Sequence, residues 1–299
     1  MYKCSITDID GVALGHYTDG KNKTGCSVIL IEDGAVCGVD IRGSSPGTRE
    51  TDLMRPTAAV QKAHAFVLCG GSAFGLAAAD GVMKYLEGKG VGFDTGVAKV
   101  PIVGAAVLFD LGVGSPDVRP TAENGYEACQ NAGKTAECGS IGAGTGASTG
   151  KAGGPLTAGT GGFGTASIQL PGGVIVAACF AVNAVGDVYD HLSGEKLAGM
   201  QLMDSYDAFL MSASEDMAGK NTTIGVVGTN AKLSKEQANK LAQVGQDGIA
   251  LSVRPAHTMF DGDTVFAFGT GELECNINAI LAAGTKAAAM AIENAVRQI

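Results

Sequence analysis

Apolar residues fall along this chain in two kinds of run. Short runs rich in Val, Ile, Phe and Cys lie at 27–32 (SVILIE), 35–41, 64–69, 100–109, 165–170, 174–183, 222–228 and 264–268, and their β-branched and aromatic content predicts strands. Longer stretches with helical spacing predict helices over 73–87, 197–217, 234–246 and 277–298. The third opens with Ser234 and carries Gln237 three places on. That is a capping box, in which the Ser hydroxyl takes a helix N–H and the Gln amide reaches back. The last helix is Ala-rich and apolar on more than one face, which predicts packing between layers. From 218 onward strand, helix, strand and helix follow one another, so the expected fold class is α/β, and 299 residues are enough for one large α/β domain or two small ones.

Glycine changes the picture most. There are 46 among 299 residues, against an average near ~7%. They are scattered among Val, Ile and Ala rather than repeated, which points to tight turns and close backbone approach. The glycine-rich stretch 139–164 is too long for an ordinary turn and predicts a functional or a disordered loop. Within it, "SIGAGTGASTGKAGG" fails as a phosphate loop, because Thr145 stands where the first Gly is needed and Ala152 follows Lys151. Lys151 itself remains a candidate, since a Lys in such a loop can approach a nucleophile closely.

Hydrophobic residues make up 45% and charged residues 17% of the chain, enough for a large core and few enough charges to expect an oligomer. A net charge of −9 with no basic run argues against a nucleic-acid partner. The start, "MYKCSITDIDGV", has no apolar segment of a signal peptide, and no run approaches the ~18 residues of a membrane helix. A soluble, cytoplasmic protein with no membrane partner is expected. Eight cysteines without a C-x-x-C pair fit reduced, buried thiols. They and four scattered histidines lack zinc-ligand spacing, so no metal is expected.

Three short stretches carry candidate chemistry. "LCGGSAFG" (68–75) partly matches a nucleophile elbow, but Phe74 breaks the pattern and Ser72 is read more simply as a helix N-cap. A serine hydrolase there would need His191 or His257 as base. "RGSSPGTRET" (42–51) has Pro46-Gly47 turn chemistry with Arg42, Arg49 and Glu50 alongside, which predicts a solvated turn with a surface ion pair. "KNTTIGVV" (220–227) sets Asn221-Thr222 at the mouth of an apolar strand. The plain reading is a strand start. The sharper one is self-cleavage between Asn221 and Thr222, which leaves Thr222 with a free α-amine of pKa near ~7.7 as base for its own hydroxyl. "FDGDTVFAF" then places Asp261 and Asp263 on alternate positions just ahead of a strand. If that strand lies beside 222–228, both carboxylates point at one spot near Thr222. Its plain alternative is an Asp-Gly-Asp turn or a fragment of a metal loop.

Taken together, "ITDIDGVALGHYTD", "PGTRETDL", "VLCGGSAFGLAAADGVM", "VPIVGAAVLFDLGVG", "GAGTGASTGK", "AVNAVGDV", "NTTIGVVGTNAKL" and "HTMFDGDTVFAFGTG" resemble the DmpA-type aminopeptidase family, and within it the branch of nylon-oligomer hydrolases. The resemblance runs in order from about residue 6 to the end. It implies a self-processing N-terminal-nucleophile hydrolase with a four-layer αββα sandwich, cut into a large piece 1–221 and a small piece 222–299 that stay associated, commonly as a homotetramer of such pairs. It implies Thr222 as nucleophile, Asp261 and Asp263 as its aspartates, Asn183 as an oxyanion donor and Lys151 as a lysine beside the nucleophile. Where relatives carry Tyr or Glu around "GAAVLFD", this chain has Ala105, Leu108 and Phe109, with no polar side chain before Asp110.

The expected function is an amidohydrolase that needs no cofactor and acts on small peptides, amino-acid amides or ω-amino-acid oligomers through an acyl-enzyme. An acetyltransferase of the same fold group and an uncut glycine-rich binding protein are the alternatives.

Overall fold

In the computed structural model, which describes residues 5–211 and 220–297, alternation along single strands sorts the core into three layers of contact. Nine strands form the main sheet system: β1 (Val12–Asp19), β2 (Thr24–Ile41), β3 (Thr48–Arg49), β4 (Lys62–Cys69), β5 (Val103–Val107), β6 (Gly162–Gln169), β7 (Ile175–Asn183), β8 (Thr222–Ala231) and β9 (Thr264–Leu273). The helices are α1 (Ala78–Gly88), α2 (Ala122–Gln130), α3 (Ser205–Met211), α4 (Lys235–Ser252) and α5 (Ile277–Val296).

Along β8, Ile224 and Val226 join a cluster with Phe66 and Leu68 of β4 and Phe266 and Phe268 of β9. Val227, on the other face, joins a cluster with α4 and α5. Along β4, Phe66 and Leu68 face that central cluster while Ala65 and Val67 face α1 and α2. The period of two thus gives helix on sheet, sheet on sheet and sheet on helix: an α/β/β/α sandwich. Phe66 pins the centre, with ring centroids 5.2 Å from Phe266 and 6.1 Å from Phe268.

Both sheets share β2. Its first arm pairs with β1 and β4, and its second arm with β9. Between them, residues 31–34 of β2 oppose the single residue 64 of β4, so the strand bulges and passes from one sheet to the other. The two runs expected at 27–32 and 35–41 are therefore the two arms of one bent strand. The second sheet runs β6-β7-β8-β9-β2, with β8 and β9 parallel and joined by α4. The expected capping box is present: Gln237 N–H donates to Ser234 Oγ at 3.2 Å and Ser234 N–H to Gln237 Oε1 at 2.9 Å. α5 lies close on β6 and β7, where a Cβ on Gly164 would stand 2.2 Å from the Ala291 carbonyl oxygen. That is one place where the glycine excess is used.

Three expectations change. The helix expected over 197–217 is a short strand, Lys196–Ala198, followed by α3, with 212–219 outside the described residues. The buried Asp187 carboxylate accepts the N–H groups of Met200 and Ser205 at 2.8 and 2.7 Å, and so takes donors that a helix would need. The helix expected at 73–87 opens as a 3-10 turn over Ser72–Ala77 and becomes α1 only at Ala78. β1 and α2 were not expected: Gly15 and His16 interrupt the first, and α2 (AENGYEACQ) is mostly polar. Among the described residues no helix is long and apolar enough to cross a membrane.

Candidate active site

Parallel pairing of β8 with β9 brings their N-terminal ends together. Ile224 stands opposite Thr264, and a further bridge links Asn221 with Asp261. The 220–222 and 261–263 segments, 41 residues apart in the chain at Thr222 and Asp263, become neighbours. On the other side β7 runs antiparallel to β8, so its last residue, Asn183, is the register partner of Thr222. Odd residues of β7 and even residues of β8 face the space between the sheets, which places both side chains at the end of that layer. The spacing anticipated that the segments carrying Thr222, Asp261 and Asp263 would meet, and the structure brings Asn183 and Lys151, the residues implied by the family resemblance, to the same place.

Thr222 is buried, and its hydroxyl lies on the carbonyl oxygen of Asn221. The same oxygen accepts the Gly262 N–H at 2.9 Å. A side chain at 262 has no room, because a Cβ there would stand 2.9 Å from the Thr222 hydroxyl oxygen and 2.6 Å from the Ser45 carbonyl oxygen. The carbonyl before Thr222 therefore meets a hydroxyl and a backbone donor together. Motif reading of "DGD" weighed its aspartates and missed that its glycine supplies this donor.

Lys151 arrives from the glycine-rich loop. The N–H groups of Gly150 and Lys151 donate to the Gly186 and Val185 carbonyls at 2.8 and 2.9 Å, laying the loop along the segment after β7. The Lys151 ammonium donates to Asn183 O at 2.9 Å, Asn183 Oδ1 at 2.8 Å and Lys220 O at 3.2 Å. Asn183 Oδ1 also accepts the Ser148 N–H at 3.0 Å. With that oxygen engaged by these donors and by the Ser148 hydroxyl at 3.4 Å, the amide nitrogen must point the other way. It donates to Phe109 O at 3.0 Å and Lys220 O at 3.4 Å. The Asn183 N–H₂ is thus held facing the chain that carries the Asn221–Thr222 bond.

The two aspartates have different partners. Asp263 Oδ1 accepts the Thr223 N–H at 2.7 Å, and Oδ2 accepts the His257 N–H at 3.2 Å and contacts its Nδ1 at 2.8 Å. Asp261 Oδ2 accepts the N–H and hydroxyl of Thr258 at 2.9 and 2.6 Å. Burial, reinforced by the Asp263 charge, pushes the Asp261 carboxyl up to about 7, against the Thr258 bonds and the Lys151 cation. Burial brings Lys151 down to about 7, while the Asp261 charge acts the other way. Each charge thus favours the other's ionised form, while burial disfavours both.

The turn at 42–51 is not a free solvated loop. Gly43 and Ser45 donate their N–H groups to the Asp263 and Asp261 carbonyls at 3.1 and 2.9 Å, bracing the 261–263 segment from outside. Its arginines pair elsewhere, Arg42 with Asp40 and Asp247 and Arg49 with Asp80, and not with Glu50.

Ser72 is not an N-cap. The residue ahead of that turn is Gly71, no side chain caps it, and Ser72 itself has φ +53. The buried Asp110 carboxylate takes the Gly71 N–H at 2.7 Å and the Thr24 hydroxyl at 2.7 Å, and the Leu108 carbonyl takes the Ser72 N–H at 2.9 Å. Those bonds set the turn. His191 is paired with Glu293 of α5 at 2.5 Å and His257 with Asp263. Among the described residues neither serves Ser72.

The profile of peptidase family S58 matches residues 4–298. An uncharacterized aminopeptidase of Mycobacterium leprae is 45% identical, over 92% of this chain and 81% of that protein. A 6-aminohexanoate-oligomer endohydrolase of Kocuria is 32% identical, over 89% of this chain and 75% of that protein. Among solved structures, the L-aminopeptidase D-Ala-esterase/amidase of Ochrobactrum anthropi, described as a variant of the Ntn-hydrolase fold, superposes with a TM-score of 0.73 over 97% of this chain and 85% of that one at 18% identity. A β-aminopeptidase of Burkholderia gives 0.71 at 20% identity over the same shares.

Proposed function

For this chain, which belongs to peptidase family S58, we propose a self-processing amidohydrolase whose nucleophile is Thr222. The observation that carries the reading is the Asn221 carbonyl, whose oxygen meets the Thr222 hydroxyl and the Gly262 N–H together. Attack of Oγ on that carbonyl carbon forms a C–O bond and a tetrahedral oxyanion, for which the Gly262 N–H is a donor already in place. The C–N bond then breaks, and the hydroxyl proton ends on the released nitrogen. Water opens the ester, leaving the Asn221 carboxyl group and a Thr222 with free amine and hydroxyl.

Cleavage creates pieces 1–221 and 222–299. They share one sheet, because β8 lies between β7 of the large piece and β9 of the small one, and this supports their staying associated. Departure of the 220–221 end removes one acceptor, Lys220 O, from both Asn183 and Lys151. The Asn183 amide is then available to a substrate oxyanion. The Thr222 amine takes the hydroxyl proton as Oγ attacks the substrate amide and returns it to the leaving amine; water releases the acyl group. Asp261 and Asp263 balance the charged amine and hold the strand end, and Lys151 orients Asn183.

Small peptides, amino-acid amides and ω-amino-acid oligomers are the substrates this reading favours, in line with the aminopeptidase and 6-aminohexanoate-oligomer endohydrolase relatives. A tetramer of processed pairs in the cytoplasm completes it. Intact mass of the purified protein beside Thr222→Ala tests the proposal. Fragments 1–221 and 222–299 in the parent, absent in the variant, are expected. An uncut parent that hydrolyses no amide would overturn it.

A further inference from the structure

His257 belongs to none of the roles assigned above, yet it sits one residue removed from the nucleophilic strand. Its backbone φ is +58, a left-handed conformation that His adopts more readily than most residues but that still costs energy. The strain has a visible return. It lets Nδ1 and the backbone N–H of the same residue both face Asp263 Oδ2, at 2.8 and 3.2 Å. Asp263 Oδ1 in turn holds the Thr223 N–H at 2.7 Å, and Thr223 follows the nucleophile directly. The other ring nitrogen faces the Gln246 carbonyl of α4 at 3.3 Å. Both ring nitrogens therefore meet acceptors, and only the imidazolium donates to both.

We propose that His257 is a positioning residue that acts as a cation: its imidazolium fixes Asp263, Asp263 fixes the Thr223 peptide, and the pose of Thr222 follows. The inference rests on the reading of Thr222 as nucleophile. Around the ring, Asp263 is the facing anion and Arg42 the opposing cation, itself paired with Asp40 and Asp247. Asp261 feels the charges of Asp263 and Lys151 and is bonded to Thr258. Burial disfavours the His257 charge, but the bond and charge of Asp263 outweigh it and raise the pKa above the ordinary 6.5. The cation is thus present below that raised value and lost as pH rises through it.

Self-cleavage is the readout, because it needs no chosen substrate. Full-length chain from cell-free synthesis is followed by mass spectrometry across pH, for the parent, Thr222→Ala, His257→Gly and His257→Asn. Gly relieves the backbone strain and removes the donor. Asn tolerates the same backbone and returns a neutral N–H donor near the place of Nδ1. The expected result is about tenfold slower cleavage for Gly, the scale of one lost charge-assisted bond. His257→Asn should recover most of that loss, and the parent's decline at alkaline pH should vanish in it. Melting temperatures show whether each variant is folded. Parent-like cleavage by His257→Gly, or His257→Asn no faster than His257→Gly, overturns the positioning role. An alkaline decline that persists in His257→Asn overturns the role of the cation. Cleavage of Thr222→Ala would instead sink the nucleophile reading itself.

Discussion

Two hydroxyls stand at strand ends in this molecule, and the difference between them is instructive. Ser72 follows β4 in a left-handed turn that superficially resembles a strained nucleophile elbow. The acid beside it, Asp110, has its two oxygens committed to Thr24 and Gly71, and burial raises its pKa. Thr222 begins β8 with a carbonyl under its oxygen, a backbone donor on that carbonyl and an amide held facing its own backbone. A hydroxyl is presented in both places, on a left-handed backbone at Ser72 and at a strand start at Thr222. Only one place also presents something for the hydroxyl to attack and donors for the charge that develops. The two sites are joined at Phe109, whose carbonyl accepts Asn183 Nδ2 next to Asp110; the Ser72 turn is better described as support for that side of the candidate active site.

The contrast is broken or sharpened most strongly at the nucleophile. Thr222→Ala is expected to abolish self-cleavage and to lower amide hydrolysis on the order of 10³-fold or more, read by mass and by release of p-nitroaniline from amino-acid anilides. If Ser72→Ala has that effect and Thr222→Ala does not, the assignment is reversed. Next, Asn183→Ala in the processed enzyme should reduce kcat by ~10²–10³ with little change in KM, the signature of a lost oxyanion donor. An unchanged kcat would remove Asn183 from that role.

A smaller effect concerns pH. Asp261 is protonated below about 7 and Lys151 is cationic there, so the rate should climb as pH rises through neutrality and the carboxylate forms. The Lys151 cation lowers the Asp261 pKa. Lys151→Met should therefore move the acid limb to higher pH, and a limb that stays put would separate it from this pair. Smallest of all, Ser72→Ala should stay within about twofold of the parent. Ser72→Gly should stabilise the fold by about 1 kcal/mol, since glycine meets no steric penalty at that backbone; thermal melting that shows destabilisation would mean the hydroxyl has a structural partner.

Much of the fold was legible because it is written as local alternation. The strands at 174–183, 222–228 and 264–268 and the capping box at Ser234 each depend on neighbours in the chain, and each appears within a few residues of its expected place. α2 and β1 were not legible, since a polar helix and a strand broken by Gly15 and His16 hold their conformation through contacts with distant layers. The 197–217 stretch failed for a related reason: Asp187, far from most of it in the chain, captures its N–H groups.

The same division runs through the active site. Side-chain chemistry at short spacing, Asn-Thr at a strand mouth and Asp-Gly-Asp before another, marked Thr222, Asp261 and Asp263 from the sequence alone, because one parallel pairing suffices to bring them together. The resemblance to family members added Asn183 and Lys151 by motif, though no spacing rule links positions 151, 183 and 222. Only the tertiary structure showed the Gly262 N–H on the Asn221 carbonyl, the clasp of Lys151 and Asn183 on Lys220, and His257 behind Asp263. Those are backbone donors and long-range hydrogen bonds. A sequence names side chains and their periodicity, whereas the direction of a peptide N–H is decided by where the fold places the strands on either side of it.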